Sequence, residues 1–364
     1  MQKILVYFGG ISNEHEISVI TGVMALNLMD RSLFDPVPLY ASTDGKLYTS
    51  EKMRDIRSFR RGTENFERVV WEGDSLYTLR KNKLKFFCKA DCVLNCAHGG
   101  IAEGGGVAAL CEMHSVPCAS CPVAPSAVCL DKVLTKIVAK GLDIRTVPYL
   151  YVQEDDDKKR VFLYKLIEEK LGYPVICKPA KLGSSIGIFA ANNREELEKG
   201  LSGAFTYDKC VLVEKRLENC REINCAAYGK DGKIVLSECE ECNEKGGIFT
   251  FADKYLQNGT HGKIPADLSE MLTRKIKGYT KSLYKHLGMS GVVRADFLIA
   301  DGEVYFSEMN TVPGSLAYYL FGERLSDFSA LVTALIQEGI RRFNADRKKC
   351  FSTGILYDRI VSQK

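Results

Sequence analysis

Apolar residues run unbroken from Ile4 to Phe8 and stop at Gly9-Gly10. A continuous apolar run closed by glycine predicts a strand buried on both faces, as in a parallel sheet. The next segment sets Ile17, Ile20, Met24 and Leu28 at helical spacing, which predicts a helix with one apolar face. Ala90 to Ala97 repeats the strand-then-glycine pattern. Together these predict an α/β unit over residues 1–120. A second unit is expected over 121–209. It holds a helix from Ser126 to Lys140, strands at Thr146–Val152 and Gly172–Pro179, and a helix at Glu195–Ser202.

The third unit, 210–364, reads as α+β. Cys210–Arg216, Arg221–Tyr228 and Ile234–Cys239 alternate as strands of an antiparallel sheet. Leu268–Leu287 and Asp327–Phe343 read as helices, and Val292–Ile299 with Glu303–Glu308 as a hairpin around Asp301-Gly302. No internal repeat or low-complexity segment is visible.

Composition narrows the function classes. The 364 residues are 46% hydrophobic and 26% charged, as expected of a globular chain of two or three domains. Fifty basic against 46 acidic residues give a net charge of +4, too balanced to predict a nucleic-acid or membrane-surface partner. The mixed charge run from Glu154 to Arg160 reads as a solvated loop. No apolar run approaches the ~20 residues that span a bilayer, and the first residues read as a strand and not as a signal segment. Fourteen cysteines include two Cys-x-x-Cys pairs, Cys118/Cys121 and Cys239/Cys242, with no further Cys or His pair nearby to complete a zinc site. The expectation is a cytoplasmic protein with reduced thiols, most of them small core residues.

The chemistry concentrates in separated segments. After the strand ending at Lys178 comes Pro-Ala-Lys-Leu-Gly183-Ser184-Ser185-Ile-Gly187. Glycines there let backbone N–H groups approach phosphate oxygens, and hydroxyls add donors. The lysine precedes the loop, so this is not the Walker arrangement. Asp131-Lys132 opens a helix, Glu214 and Lys215 end an alternating strand, and Glu222 follows eight residues later.

Lys132, Lys178, Glu214 and Glu222, in this order and setting, resemble the nucleotide site of ATP-grasp ligases. Phe8-Gly-Gly-Ile-Ser-Asn-Glu14-His-Glu-Ile-Ser18 resembles the Gly-Gly-x-Ser-x-Glu-His-Glu-Val-Ser signature of the D-alanine–D-alanine ligase family. The resemblance covers residues 3 to 345. It implies an ATP-grasp fold behind an N-terminal Rossmann-like domain, and ATP-dependent ligation of two D-alanines for peptidoglycan precursors. It implies that Lys132 and Lys178 hold phosphates, that Ser185 belongs to the phosphate loop, that Glu214, Lys215 and Leu217 line the adenine, and that Glu222 holds the ribose. Glu14 would hold the ammonium of the first D-alanine and join Ser184 and Tyr255 in one hydrogen-bonded set. Lys254 and Tyr255 would lie in a lid over the phosphates, Lys254 on the γ-phosphate. His261, six residues on, reads as structural. A tyrosine in the lid favours a peptide over an ester product. His98 would lie near the first substrate, and family members are commonly homodimers.

The hairpin supplies a metal site. Arg294 with Asp296, and Glu308 with Asn310, each share a strand face. A two-residue loop on a regular ladder would put Asp296 and Glu308 on opposite faces, so a loop of odd length is expected. Asp296, Glu308 and Asn310 suit magnesium, which takes oxygen ligands shared between carboxylates and substrate phosphates. Two ions are expected, with manganese as a substitute. Arg294 on the same face would stabilise the transferring phosphoryl group.

Two departures from the family stand out. The run after His98 lacks an aspartate and a glutamine and reads Glu103-Gly-Gly-Gly, which bears on local packing. After Pro313-Gly314 the chain reads Ser315-Leu-Ala-Tyr318-Tyr319-Leu320. Gly314, Tyr319 and Leu320 fall where the second amino acid would lie, with Tyr319 in place of a carboxylate-binding serine. Two alternatives therefore stand: a ligase for another second substrate such as D-serine, or a nucleotide-binding protein without catalysis.

Overall fold

The structure, a computed structural model, describes residues 1–154, 160–242 and 262–346. The predicted strand at the start of the chain is β1 (Gln2–Gly9). It pairs in parallel with β2 (Phe34–Ala41) and β7 (Cys92–Asn95), and β7 pairs in parallel with the short β8 (Cys118–Ala119). An antiparallel extension completes the sheet with β3 (Leu47–Thr49), β4 (Glu67–Glu72), β5 (Ser75–Arg80) and β6 (Lys83–Lys89), in the order β6-β5-β4-β3-β2-β1-β7-β8. Helix α1 (His15–Leu28) packs on β1 and buries the expected Ile17 together with Ser18, Val19, Thr21, Gly22, Ala25 and Leu26, while the expected Met24 and Leu28 are partly buried against the same core. Ile20, expected inside, is 46% exposed. Small residues share the buried face because α1 lies close on Phe8, whose side chain occupies the space a Cβ on Gly22 would need.

Two four-stranded antiparallel sheets follow. The second sheet joins β9 (Tyr149–Gln153), β10 (Val175–Pro179), β11 (Phe189–Ala191) and β12 (Cys210–Lys215) in the order β11-β10-β12-β9. The third joins β13 (Arg221–Lys230), β14 (Lys233–Glu241), β15 (Val292–Ala300) and β16 (Glu303–Asn310) in the order β14-β13-β15-β16. Strand β12, expected to open the third sheet, thus belongs to the second, where it lies between β10 and β9. Its alternation reveals a strand, but not which partner it takes.

The single helix expected over 126–140 is two. After α2 (Val107–Met113), α3 (Val123–Leu130) ends at Asp131, and α4 (Lys132–Gly141) begins there. The Asp131 carboxylate accepts from the backbone N–H of Val133 and Leu134, an N-cap that restarts the helix. The remaining helices are α5 (Arg160–Lys170), α6 (Arg194–Phe205), α7 (Glu270–His286) and α8 (Leu325–Asp346). The last returns to the first sheet, burying Phe328, Leu331, Val332, Leu335 and Ile336 in one core with Ile4, Val6 and Phe8. No helix among the described residues is long and apolar enough to cross a membrane. The thirteen described cysteines are free, and most are buried.

The hairpin corrects one expectation. Ala300 pairs with Glu303, so the loop has two residues, Asp301 and Gly302, not an odd number. Both have positive φ, 52° and 75°, as a tight hairpin turn requires. Asp296 nevertheless faces Glu308, because the register shifts between Asp296 and Phe297. Phe297 pairs with Phe306, and Ser307 is the extra residue of a β-bulge. The parity comes from the bulge, not from the turn.

Candidate active site

A cavity of about 490 Å³ lies between the second and third sheets, within the range of small-molecule sites. Lys132, Lys178, Ser185, Glu214, Lys215, Leu217 and Glu222 all line it, as do Asp296 and Glu308. Several of these charged groups lie against charged protein partners. Lys178 Nζ lies 2.6 Å from Glu214 Oε2, and Lys136 Nζ lies 2.6 Å from Glu214 Oε1. Burial works against the Glu214 charge, but the two lysines outweigh it and hold the carboxyl down to about 2. Glu214, expected at the adenine, lines the cavity, and its carboxylate pairs with Lys136 and Lys178. Lys215 donates to the Tyr173 carbonyl at 2.8 Å. Lys132 donates to the Leu182 carbonyl and lies 3.2 Å from Glu308 Oε2.

On the third sheet, Asp296 sits opposite Glu308, and Arg294 opposite Asn310. Arg294 grips Asp296 with two bonds, Nε to Oδ1 at 2.7 Å and a terminal nitrogen to Oδ2 at 2.8 Å. Asn310 Nδ2 donates to Asp296 Oδ2 at 3.0 Å. Burial disfavours the guanidinium charge, yet Asp296 keeps it firmly protonated. No group of three His, Cys, Asp or Glu among the described residues is placed to hold a metal by itself. Two carboxylates and an amide on one face are a partial oxygen set, which suits an ion completed by phosphate oxygens.

Glu14 comes from the first unit. Gly9 and Gly10 turn the chain with φ of 85° and 102°. Ser18 Oγ accepts from Gly9 N at 2.6 Å and donates to the Cys96 carbonyl at 3.0 Å. His15 donates through Nδ1 to the Gly10 carbonyl at 2.7 Å, with Nε2 2.9 Å from the Tyr40 hydroxyl. These bonds fix the loop that carries Glu14. Its Oε1 accepts a hydrogen bond from Ser184 of the glycine–serine loop. The carboxylate is wedged between glycines. A Cβ on Gly99, whose φ is 68°, would lie 2.5 Å from Glu14 Oε2, and one on Gly183 3.0 Å from it. A smaller cavity of about 170 Å³ has Glu14 in its wall and shares Leu182, Gly183 and Ile186 with the larger one.

His98 was expected near the first substrate. It is 3% exposed, with both ring nitrogens taken. Nδ1 lies 2.5 Å from the Val312 carbonyl, which can only accept, so this nitrogen carries the proton. Nε2 then accepts from Thr21 Oγ1 at 2.8 Å, and Thr21 Oγ1 accepts from Ser315 N at 3.2 Å. Burial, helped by Arg294 and opposed by the Val312 bond, lowers the imidazole to about 4, so it is neutral. Glu103 does similar work. Its Oε2 accepts from Gly99 N at 2.7 Å, and its Oε1 from Thr311 N and Val312 N at 3.0 and 3.1 Å. Burial first, and then Glu14, raise its pKa.

The segment these residues hold is unusual. Gly314 leads into Ser315, Leu316 and Ala317, three successive residues with φ near +50°. Left-handed backbone costs an ordinary residue roughly 1–2 kcal/mol. Leu320, expected at the second amino acid, is 2% exposed and packs with Ala226 and Ala317. Tyr319 packs on that cluster, and burial raises its phenol pKa while nearby Arg294 opposes. Lys254, Tyr255 and His261 lie outside the described residues. The sequence reading missed Lys136, Glu103 and Thr21. Only Lys136 carried a signal, four residues after Lys132 on one helix face.

Two antiparallel sheets closing on a lysine-lined cavity, with an α/β unit bonded through Glu14 to the glycine–serine loop beside it, define an ATP-grasp ligase. The family models for the D-ala D-ala ligase N-terminus and C-terminus match residues 3–121 and 138–338. The chain belongs to the D-alanine–D-alanine ligase family. A D-alanine–D-alanine ligase of Thermosipho melanesiensis is 36% identical over 364 residues, covering 98% of each chain. One of Clostridium acetobutylicum is 35% identical over 94% of this chain and 99% of its own. The crystal structure of the Helicobacter pylori D-alanine-D-alanine ligase superposes with a TM-score of 0.77 at 28% identity, covering 93% of this chain and 98% of that one. The VanG D-Ala:D-Ser ligase of Enterococcus faecalis also reaches 0.77, at 26% identity, over 93% and 99%.

Proposed function

We infer that this protein is a cytoplasmic ligase that joins two D-alanines at the expense of ATP, for peptidoglycan precursor synthesis. The observation that carries the reading is the bond between Ser184 and Glu14. It sets an ammonium acceptor from the first unit beside the glycine–serine loop of the nucleotide cavity. In this reading the carboxylate of the first D-alanine takes the γ-phosphoryl group, and the amine of the second displaces phosphate from the acyl-phosphate. Glu14 holds the first ammonium. Lys132, Lys178 and Ser185 hold phosphates, and Arg294 stabilises charge on the transferring group. Lys215, Leu217 and Glu222 face the nucleoside. Asp296, Glu308 and Asn310 would hold magnesium, which neutralises phosphate charge when bound. Lys254 and Tyr255 would close the site against water. Gly314 and Tyr319 belong to the wall for the second amino acid.

Phosphate release is measured with ATP, magnesium and D-alanine alone, then with D-alanine paired with D-serine. Turnover with D-alanine alone is expected. Turnover only in the presence of D-serine would move the second-substrate assignment, and no turnover with any D-amino acid would remove the catalytic reading.

A further inference from the structure

Lys136 does not line the cavity, and its side chain is only 1% exposed. It sits one turn after Lys132 on α4, so the two lysines share a helix face. Lys132 reaches the cavity; Lys136 points between the sheets. Its ammonium lies 2.6 Å from Glu214 on the second sheet, 3.4 Å from the Phe306 carbonyl on the third, and 5.7 Å over the Tyr149 ring. It therefore touches both sheets that form the cleft.

The charge arrangement shows what this does. Glu214 is a buried carboxylate 2.6 Å from the cavity lysine Lys178. Taken alone, that pair is neutral, and Lys178 would offer little net charge to a polyphosphate. Lys136 supplies a second cation on the other carboxylate oxygen. The triad of two lysines and one glutamate then carries a net positive charge, and Lys178 is the cation of the triad that lines the cavity, beside Glu214. In a buried setting an uncompensated charge acts over a longer range than in water.

We propose that Lys136 is a positioning residue for the nucleotide: it offsets Glu214 so that Lys178 presents unneutralised charge to the phosphates, while pinning the two sheets together behind them. The proposal rests on the reading of the cavity as an ATP site.

The test uses the full-length protein, with binding of adenylyl imidodiphosphate plus magnesium, and of adenosine, measured by calorimetry. Lys136→Met is expected to weaken the triphosphate analogue at least tenfold and adenosine less than threefold. Adding Glu214→Gln to that variant restores the single surplus charge on Lys178. It is expected to bring the triphosphate analogue back to within about threefold of the unmodified protein. Unchanged analogue binding in the single variant overturns the proposal. So does equal weakening of adenosine, or a loss that Glu214→Gln does not restore, since either marks a packing role. If Lys136→Met alone fails to fold, the folded double variant still decides: tight analogue binding supports the offset, and weak binding overturns it. Failure of the unmodified protein to bind the analogue at all would instead remove the ATP reading.

Discussion

In the nucleotide cleft, charge is set against charge. Lys136 and Lys178 flank Glu214, Lys132 lies beside Glu308, and Arg294 grips Asp296. In the substrate corner, side chains are set against backbone. His98 and Glu103 hold the peptide groups of Gly99, Thr311 and Val312, and Thr21 holds that of Ser315. The bond between Glu14 and Ser184 joins the two regions. A highly charged ligand of fixed shape needs opposed charges at set distances. A small amino acid needs a wall whose shape is fixed to fractions of an ångström, and backbone hydrogen bonds provide that.

If this contrast holds, substitutions in the two regions fail in different ways. Arg294→Met removes charge from the transferring group, and kcat is expected to fall by about 10²–10³. Single-turnover measurements would show this, and a loss below tenfold would sink the assignment. Glu14→Gln removes a charged acceptor worth roughly 1.5–3 kcal/mol, so KM for D-alanine is expected to rise about 10- to 100-fold with KM for ATP unmoved. A comparable rise in both constants would erase the boundary between the regions.

Gly99→Ala adds a Cβ 2.4 Å from Ser12 Oγ and 2.5 Å from Glu14 Oε2, on a residue with φ of 68°. It is expected to lose at least about 2 kcal/mol in urea unfolding, from left-handed strain plus displaced side chains. It should also raise KM for D-alanine more than KM for ATP.

His98 gives a test by pH. Its imidazole falls from 6.5 to about 4 on folding, so the unfolded chain binds one more proton between those values. Its stabilising contribution is complete above pH 6.5 and is lost as pH falls toward 4. His98→Gln should remove that one-proton dependence, about 1.4 kcal/mol per pH unit, from the slope of unfolding free energy in this window. An unchanged slope would mean that His98 is not the buried neutral group described. The smallest effect is expected for Ser315→Gly. Relief of its positive φ, less the added freedom of the unfolded chain, should stabilise by under about 1 kcal/mol in thermal unfolding.

The same contrast explains what could be read from the chain. The cleft was legible because its residues carry their own signals: a lysine before a glycine–serine loop, and carboxylates at strand spacing. Sheet membership was not. Strand β12 alternates equally well beside either partner, and its place is set by pairing with β10 on one edge and β9 on the other. The break at Asp131 was also hidden, since apolar spacing runs on through α3 and α4 while one capping carboxylate divides them. The bulge at Ser307 left no mark at all, so the faces of the hairpin were inferred correctly for a wrong reason. The substrate corner was least legible. Glu103 and Thr21 act on peptide groups about 200 and 290 residues away, and a sequence records no partner for a backbone N–H.

The buried thiols have one more consequence. Cysteines lie in all three sheets, at Cys88 and Cys92 in the first, Cys177 and Cys210 in the second, and Cys225 and Cys239 in the third. A thiol shielded from solvent reacts with an alkylating reagent only when its surroundings open. The protein thus carries a built-in set of clocks, one or more per sheet. Their labelling rates, read peptide by peptide with and without nucleotide, would rank the order in which the three sheets come apart.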